Sequence, residues 1–318
     1  MIKVGVLGTG FGRQHVELYK RLDGVEVVAV YGRNEQKRKE IQEELSTPVT
    51  ADIQDILTNE EIDVVDICLP TDLHAKWAIE ALKHGKHVFC ETPLTYKQEE
   101  AEEIRRAAEQ AGRHVFVDLF YKFSTPHQIA IEKVKNGELG TVKSARSHNK
   151  TAPNWGNLGL SKNVTDFHLH NFDFLLELMG MPKRVLANGI DFGEQSVAVT
   201  TLSFDEAFAV VESWSNLPKN SPFYVGFEIH GEKGLLKFDA EYGMESKEEF
   251  AFFHADGTKE VLRPVMKDDY EQALRHVLEC LEGNHASPLI DLSAALQAIK
   301  VKDAVLASLA EQQAVIIG

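Results

Sequence analysis

The turn between the first strand and the first helix constrains this chain most. Lys3–Leu7 is a short apolar run that predicts a strand, and Arg13–Leu22 has the spacing of a helix. The turn that joins them reads Gly8-Thr9-Gly10-Phe11-Gly12-Arg13. Gly8 permits a tight turn, and Gly10 lets the backbone approach a pyrophosphate whose charge meets the positive end of the helix. The pattern predicts a dinucleotide-binding turn. The third glycine of the fingerprint is expected at Arg13 and comes one residue early, at Gly12, so a purely structural glycine turn is the alternative.

Strands and helices alternate through the first 122 residues. Apolar runs at 25–31, 64–69, 86–90 and 114–119 predict strands, and the segments 35–45, 74–84 and 98–111 between them predict helices. This alternation is typical of a doubly wound parallel sheet with helices on both faces, the α/β Rossmann architecture.

The rhythm changes after Tyr121. A helix is predicted over 126–136 and another over 166–179, and the strand-like segments from 142 to 254 mostly follow one another without helices. Two further helices are predicted at 269–282 and 292–312. Consecutive strands indicate a mostly antiparallel sheet. We therefore predict a Rossmann domain over 1–122 and an α+β domain for substrate binding and oligomerisation over 123–318.

Composition excludes several classes of protein. Among 318 residues the formal net charge is −15, and no basic face for nucleic acid is evident. No apolar run is long enough to span a membrane, and the N-terminus lacks the pattern of a signal peptide. The three cysteines have no metal-binding spacing and are expected to be buried free thiols. We expect a cytoplasmic protein.

The end of the second strand bears on the type of cofactor. It reads Tyr31-Gly32-Arg33-Asn34, with no carboxylate to accept hydrogen bonds from an adenosine ribose. Arg33 can pair with a 2′-phosphate or stack on adenine. The sequence favours NADP(H), with NAD(H) possible. The alternative is that Arg33 only begins a solvated helix.

A polar cluster occupies the start of the helix predicted at 166. Asp166, His170 and Asp173 are spaced i, i+4 and i+7, which places them on one face of an α-helix, whereas His168 need not share it. Asp166 could orient the His170 imidazole and raise its basicity. A helix cap and a zinc site are the alternatives, and no metal is expected.

The chain resembles the Gfo/Idh/MocA dehydrogenases, the family of glucose–fructose oxidoreductase and inositol dehydrogenase. The resemblance covers nearly the whole chain and rests on Gly8-Thr9-Gly10, on residues 63–70 with His74, on 85–93, on 136–140, on 166–173 and on 231–234. It implies a nicotinamide cofactor lying over the join of the two domains, a sugar- or polyol-like substrate, and a homodimer or homotetramer formed through the C-terminal sheet.

The resemblance also implies roles for individual residues. The cofactor would contact the glycine turn from Gly8 to Arg13, then Arg33 and Asn34, then Leu69, Pro70, Thr71 and His74, and finally Glu91 and Pro93. His170 matches the catalytic histidine of the family. We place His168 and Asp173 on the substrate side with Asn154 and Trp155, whose loop could stack an aromatic ring on a sugar. A core position for the tryptophan is the alternative.

One departure from the family concerns the lysine beside the nicotinamide. The family reads Glu-Lys-Pro where this chain reads Glu91-Thr92-Pro93. A threonine hydroxyl does not titrate near neutrality, although it can donate a hydrogen bond. His170 would then carry more of the proton transfer. Lys122, at the end of the last Rossmann strand, either supplies a charge near the substrate or only solvates the strand end.

These observations favour an NAD(P)-dependent oxidoreductase acting on CH–OH groups of a sugar- or polyol-like substrate. The missing lysine leaves two alternatives. One is a hydrolase that retains its cofactor and cleaves a glycosidic bond by transient oxidation. The other is a cofactor-binding sensor without catalysis.

Overall fold

The computed structural model describes residues 1–152 and 158–318, and they form two compact units. The first unit contains Met1–Phe123 and Lys267–Leu296, and the second contains Ser124–Met266 and Gln297–Gly318. The predicted division at residue 122 therefore differs from the observed one in one respect. Residues 267–296, which were predicted to belong to the second domain, return to the first unit. In that segment the Ile290 carbonyl accepts a hydrogen bond from the Val117 amide at 2.9 Å, which extends the edge of the first sheet.

The eight predicted helices occur in the predicted order, and two short helices, at 54–57 and 159–162, are additional. Their bounds are α1 Phe11–Tyr19, α2 Glu35–Leu45, α3 Gln54–Leu57, α4 His74–Lys83, α5 Gln98–Ala111, α6 Thr125–Lys135, α7 Gly159–Lys162, α8 Leu169–Met179, α9 Asp269–Glu282 and α10 Leu292–Glu311. Short 3₁₀ turns occupy Thr71–Leu73 and Phe120–Lys122, and Asn163–His168 is π-helical. Among the described residues, none of the helices is both long and apolar enough to cross a membrane.

The first unit is a doubly wound sheet. Its strands are β1 Ile2–Leu7, β2 Val25–Tyr31, β3 Val49–Thr50, β4 Val64–Ile67, β5 His87–Cys90 and β6 Val115–Val117. They pair in the order β3-β2-β1-β4-β5-β6, and every pair is parallel. The predicted Rossmann fold is confirmed. The winding reverses between β1 and β4, so the carboxyl ends of these two strands flank the crevice where such folds bind ligands.

The second unit contains the mixed sheet. Its strands are β7 Val142–Lys150, β8 Arg184–Phe192, β9 Gln195–Ser203, β10 Phe208–Ser215, β11 Phe223–Gly231, β12 Gly234–Tyr242, β13 Lys247–His254, β14 Lys259–Val261 and β15 Val315–Ile316. Eight neighbouring pairs join these nine strands, and β7 with β10 is the parallel one. The predicted mostly antiparallel α+β architecture is confirmed.

The core of the second unit lies between this sheet and its helices. Helix α8 packs on β7 and β10, and α6 packs on α8. Phe174 of α8 meets Phe227 of β11 with ring centroids 5.2 Å apart, and Phe227 meets Phe238 of β12 at 5.6 Å. The other face of the sheet keeps large apolar side chains exposed, among them Ile190 and Phe208.

Candidate active site

The glycine turn after β1 has three distinct geometric demands. Gly8 has a φ of +128°, and a Cβ there would lie 2.4 Å from the carbonyl oxygen of Cys68. A Cβ on Gly12 would lie 3.0 Å from the Val6 side chain, so Gly12 allows α1 to pack closely on β1. A Cβ on Gly10 would have no described protein atom within 4 Å. The turn therefore leaves open space beside Gly10, where a pyrophosphate fits the fold.

The N-terminus of α1 is suited to an anion. Its N-cap is Gly10, which has no side chain that could cap the helix, and no acidic residue lies in the first turn. The first backbone N–H groups therefore face outward with the positive end of the helix dipole. Arg13, which is predicted to contact the cofactor, pairs with Glu17 at 3.0 Å and with Glu44 at 2.5 Å.

The end of β2 carries two guanidinium groups. Arg33 is exposed, and Arg38 donates a hydrogen bond from Nη1 to the Gly32 carbonyl at 2.6 Å. Gly32 has no room for a side chain, since its Cβ would lie 2.2 Å from Thr9 Cγ2. Asn34 is the N-cap of α2, and its side chain accepts a hydrogen bond from the Lys37 amide at 2.9 Å. The predicted contact of Asn34 with the cofactor would compete with this cap.

The loops after β4 and β5 are tied together by His74. Its Nε2 lies 2.6 Å from the Leu69 carbonyl oxygen, and its Nδ1 lies 2.9 Å from the Pro93 carbonyl oxygen. Burial lowers the pKa of His74, although its contacts with the backbone carbonyls oppose this effect. His74 thus positions the two loops. Leu69 and Thr71 remain partly exposed at this edge, and Pro70 is exposed.

The segment predicted to carry the catalytic position turns sharply after β5. The Thr92–Pro93 peptide is cis. The Thr92 amide donates to Glu91 Oε2 at 3.2 Å, and the Thr92 side chain is partly exposed. Lys122 is only 4% exposed, and its ammonium donates to the Leu289 carbonyl at 2.8 Å. The structure therefore gives Lys122 a buried partner in its own unit, which weighs against a charge held for a substrate.

The first unit contains a group of buried polar residues that the sequence analysis did not predict. His15 of α1 places Nδ1 2.9 Å from Asp66 Oδ2 and Nε2 3.0 Å from Glu91 Oε1. Asp118 follows β6, and its carboxylate lies within 4.8 Å of the Glu91 and His15 atoms. The signal was present as single polar residues inside apolar strands, Val-Val-Asp66-Ile and Val-Phe-Val-Asp118. Charged residues are seldom fully buried unless they are paired.

The polar cluster of the second unit departs from the predicted α-helix. Residues Asn163–His168 are π-helical, and α8 begins only at Leu169. Asn163 anchors this turn, because its side chain accepts from Ser213 Oγ at 2.7 Å and donates to the Ser196 carbonyl at 3.3 Å. A π-helical turn rotates less per residue than an α-helix, so the i, i+4 argument for Asp166 and His170 does not carry across the junction.

His170 is 8% exposed, and burial lowers its pKa to about 4. The imidazole is therefore neutral at neutral pH and able to accept a proton. Asp166 is partly buried, burial raises its pKa, and its Oδ1 accepts a hydrogen bond from Thr165 Oγ1 at 2.8 Å. Asp173 is 2% exposed on α8.

The predicted substrate contact of His168 is contradicted by its position. His168 is completely buried, packs edge-on against Phe172 with ring centroids 5.4 Å apart, and places Nδ1 3.5 Å from Thr200 Oγ1 of β9. Burial lowers its pKa to about 3. It is a core histidine between helix and sheet. Asn154 and Trp155 lie outside the described residues.

Comparison with known proteins covers both units. A sequence model described as an oxidoreductase family with an NAD-binding Rossmann fold matches residues 2–119. A second model, the C-terminal alpha/beta domain of the same Gfo/Idh/MocA family, matches residues 131–317.

Similar proteins include enzymes of different activities. A scyllo-inositol 2-dehydrogenase (NADP(+)) of Bacillus subtilis is 27% identical over 264 residues, which are 78% of this chain and 71% of that protein. A 2,7-anhydro-N-acetylneuraminate hydratase of Mediterraneibacter gnavus is 27% identical over 252 residues, 74% of this chain and 66% of that protein. The solved structure of an oxidoreductase from Agrobacterium radiobacter in complex with NAD+, L-tartaric acid and magnesium has a TM-score of 0.85 at 16% sequence identity. The superposition covers 100% of this chain and 98% of the Agrobacterium chain.

Proposed function

Because the chain belongs to the Gfo/Idh/MocA oxidoreductase family, we propose that it transfers a hydride between NADP(H) and a sugar- or polyol-like substrate. The observation that carries the cofactor half of this proposal is the open space beside Gly10 at an uncapped helix N-terminus. The dinucleotide, when bound, supplies the hydride acceptor or donor. The inositol dehydrogenase among the relatives supports the substrate class.

The preference for NADP(H) rests on the end of β2. Exposed Arg33 has no acidic neighbour in the Tyr31–Asn34 segment, and Arg38 is held at the Gly32 carbonyl beside it. Two guanidinium groups at this position suit a 2′-phosphate, which Arg binds through paired hydrogen bonds. The relative from Bacillus subtilis that is named for NADP(+) agrees with this assignment.

We assign the proton transfer to His170. Its neutral imidazole can take the hydroxyl proton as the hydride leaves the carbinol carbon. Thr92, in the position of the family lysine, would contribute a hydrogen bond and no titratable group. Asp173 is proposed to position the substrate, whereas Asp166, which accepts a hydrogen bond from Thr165, is not assigned to the histidine.

The experiment is a panel of polyols and sugars assayed with NADP+ and NAD+ by nicotinamide absorbance. We expect net reduction of NADP+ with at least one polyol. The variant Thr92→Lys is expected to raise turnover on it, because it restores a titratable group at an otherwise intact site. A folded variant that binds the cofactor and gains nothing would show that position 92 is not an empty catalytic position.

A second candidate is favoured by the hydratase among the relatives together with Thr92. In this reaction the retained cofactor would be oxidised and reduced within each turnover, so that a substrate is hydrated or hydrolysed without net redox change. Product release from a glycoside or anhydro-sugar without a change in nicotinamide absorbance would select it over the dehydrogenase.

We also propose that the open face of the mixed sheet forms an oligomer. Ile190 of β8 is 57% exposed and Phe208 of β10 is 50% exposed, and Leu186 of β8, 40% exposed, lies between their rows on the same face. Large apolar patches of this kind mark interaction surfaces. Sedimentation of wild type and of Phe208→Glu should show a dimer or tetramer that the substitution dissociates. A monomeric wild type would refute the proposal.

A further inference from the structure

Four buried polar residues meet at the carboxyl ends of three neighbouring strands of the first unit. Asp66 lies in β4, Glu91 follows β5, Asp118 follows β6, and His15 reaches them from α1. His15, Asp66 and Asp118 are completely buried, and the Glu91 side chain is 14% exposed. We refer to these residues as the buried quartet. Their charge states are linked, because charges interact strongly away from water.

His15 is the cation of the quartet. Both of its ring nitrogens face carboxylate oxygens, Nδ1 that of Asp66 at 2.9 Å and Nε2 that of Glu91 at 3.0 Å. The Nε2 contact lacks hydrogen-bond geometry, but a neutral imidazole would leave a lone pair facing one of these anions, so the two close carboxylates favour a protonated imidazolium. Burial alone would lower the pKa of His15, but the neighbouring Asp66 carboxylate opposes this effect, and the pKa is raised well above its usual value.

Asp118 lacks a donor. Neither of its carboxylate oxygens has a hydrogen-bond partner among the described residues. Its oxygen, the Glu91 oxygen and the His15 nitrogen all lie within 4.8 Å of one another. Burial raises the pKa of Asp118 well above its usual range, and the neighbouring Glu91 raises it further. Two buried carboxyl groups without a donor between them are stable when one of them carries a proton.

We propose that Glu91 and Asp118 share one proton, so that the buried quartet keeps a net charge of −1 and favours binding of the oxidised, positively charged nicotinamide over the reduced one. The count is one imidazolium, the Asp66 carboxylate and one negative charge on the Glu91–Asp118 pair. The second half of the inference rests on the proposed function. In a sheet of this order the dinucleotide crosses between β1 and β4, and β4 to β6 form one of its two mononucleotide halves. With the adenosine end assigned to β2, this half belongs to the nicotinamide.

The other titratable groups around the quartet are neutral. Burial raises the pKa of the Cys68 thiol, which donates to Asp66 Oδ1 at 3.3 Å. Burial also raises the pKa of Tyr19, with Asp66 adding to the shift, and that of Tyr270, with Asp118 adding to it. The ring of Tyr270 packs on Phe120 and Phe11, with centroids 4.9 Å and 5.2 Å apart. These neighbours therefore leave the net charge of the quartet uncompensated.

The shared proton is tested on the protein without cofactor, so this test does not depend on the proposed function. The infrared difference spectrum between wild type and Asp118→Asn should contain the carbonyl band of a protonated carboxylic acid. Exposed Asp23 provides the matched control, since Asp23→Asn should give a carboxylate difference and no such band. Absence of the band in the Asp118→Asn difference, or one bound divalent cation per chain in protein purified with a chelator, would overturn the proposal.

The effect on the cofactor is tested by calorimetry with NADP+ and NADPH. Wild type should bind NADP+ relatively more tightly than does the double variant Glu91→Gln/Asp118→Asn, whose quartet carries no net charge. The ratio of the two dissociation constants should change about tenfold, as expected for one unit charge several ångströms away in a partly buried site. Asp118→Asn alone should leave the ratio within about twofold of wild type, because asparagine replaces a group that is already neutral. A large change in this single variant, or none in the double variant, would refute the assignment. If neither dinucleotide binds to wild type, the proposed function fails while the infrared result still decides the proton.

Discussion

Gly8 and Gly10 lie two residues apart, but their replacement by alanine should affect different properties. Gly8→Ala should mainly lower the stability of the fold, and Gly10→Ala should mainly weaken the binding of NADPH. In Gly8→Ala the new methyl group would meet the Cys68 carbonyl oxygen at 2.4 Å, at a φ of +128° that alanine rarely adopts. Backbone strain of this kind costs about 1–3 kcal/mol, and overpacking adds a similar amount. We expect the free energy of unfolding to fall by about 2–4 kcal/mol.

In Gly10→Ala the methyl group meets no described protein atom within 4 Å, and φ is −87°. The unfolding free energy should therefore fall by less than about 1 kcal/mol, the usual cost of alanine at an N-cap. The same methyl group occupies the space that the pyrophosphate needs. Overpacking by about 1–3 kcal/mol corresponds to an affinity for NADPH that is about fivefold to 150-fold lower.

The assay pairs urea unfolding, followed by circular dichroism, with calorimetric titration of NADPH. Gly112→Ala is the matched control, because Gly112 ends α5 at a φ of +61° and an added Cβ there would have no described atom within 4 Å. It should lose about 1 kcal/mol of stability and keep the wild-type affinity for NADPH. Wild-type binding of NADPH by Gly10→Ala, or unfolding of Gly8→Ala at the wild-type urea concentration, would refute these expectations.

Three other predictions concern charge and protonation. Arg33→Ala should weaken NADPH binding about tenfold, the worth of a charge-assisted hydrogen bond, and leave NADH binding unchanged; calorimetry that finds equal losses for both would contradict the NADP assignment. His170→Ala should lower turnover by about 10²–10⁴ while leaving the dissociation constant of the cofactor unchanged. Since burial lowers the pKa of His170 to about 4, the wild-type rate should fall as the pH drops through that value. Full activity of His170→Ala would refute the assignment of proton transfer to His170. Burial lowers the pKa of His168 from 6.5 to about 3, so below pH 6.5 the unfolded chain binds a proton that the folded chain does not. This proton should lower the free energy of unfolding by about 1.4 kcal/mol per pH unit between pH 6 and pH 4. Urea unfolding at the two pH values should show that His168→Leu removes this contribution to the pH dependence.

Local patterns in the sequence predicted much of the fold. The bounds of β2, α2 and α5 match the segments predicted from apolar runs and from the helical stretches between them. The glycine turn was also predicted from the sequence, because the residues that shape it are adjacent in the chain. Gly12 packs α1 against β1 one position earlier than the fingerprint expects, which local spacing could not reveal.

The parts that escaped prediction depend on partners distant in the chain. Asn163 holds the π-helical turn through Ser196 and Ser213, which lie 33 and 50 residues away. The partners of His15 in the buried quartet come from three later strands, and only the sheet order brings them to one edge. Periodicity describes which face of an element is buried and contains no information about what it is buried against.

The return of residues 267–296 to the first unit has a consequence for synthesis on the ribosome. The first unit lacks α9, the Ile290 carbonyl partner of Val117 and the Leu289 carbonyl partner of Lys122 until that segment has been translated. By then the whole of Ser124–Met266 has already emerged. The nascent N-terminal unit therefore has an unpaired sheet edge until then, and a fragment cut at residue 123 would keep that edge permanently. Chaperone capture of the nascent chain should end near the synthesis of α9, whereas completion of the first 123 residues should have little effect on it.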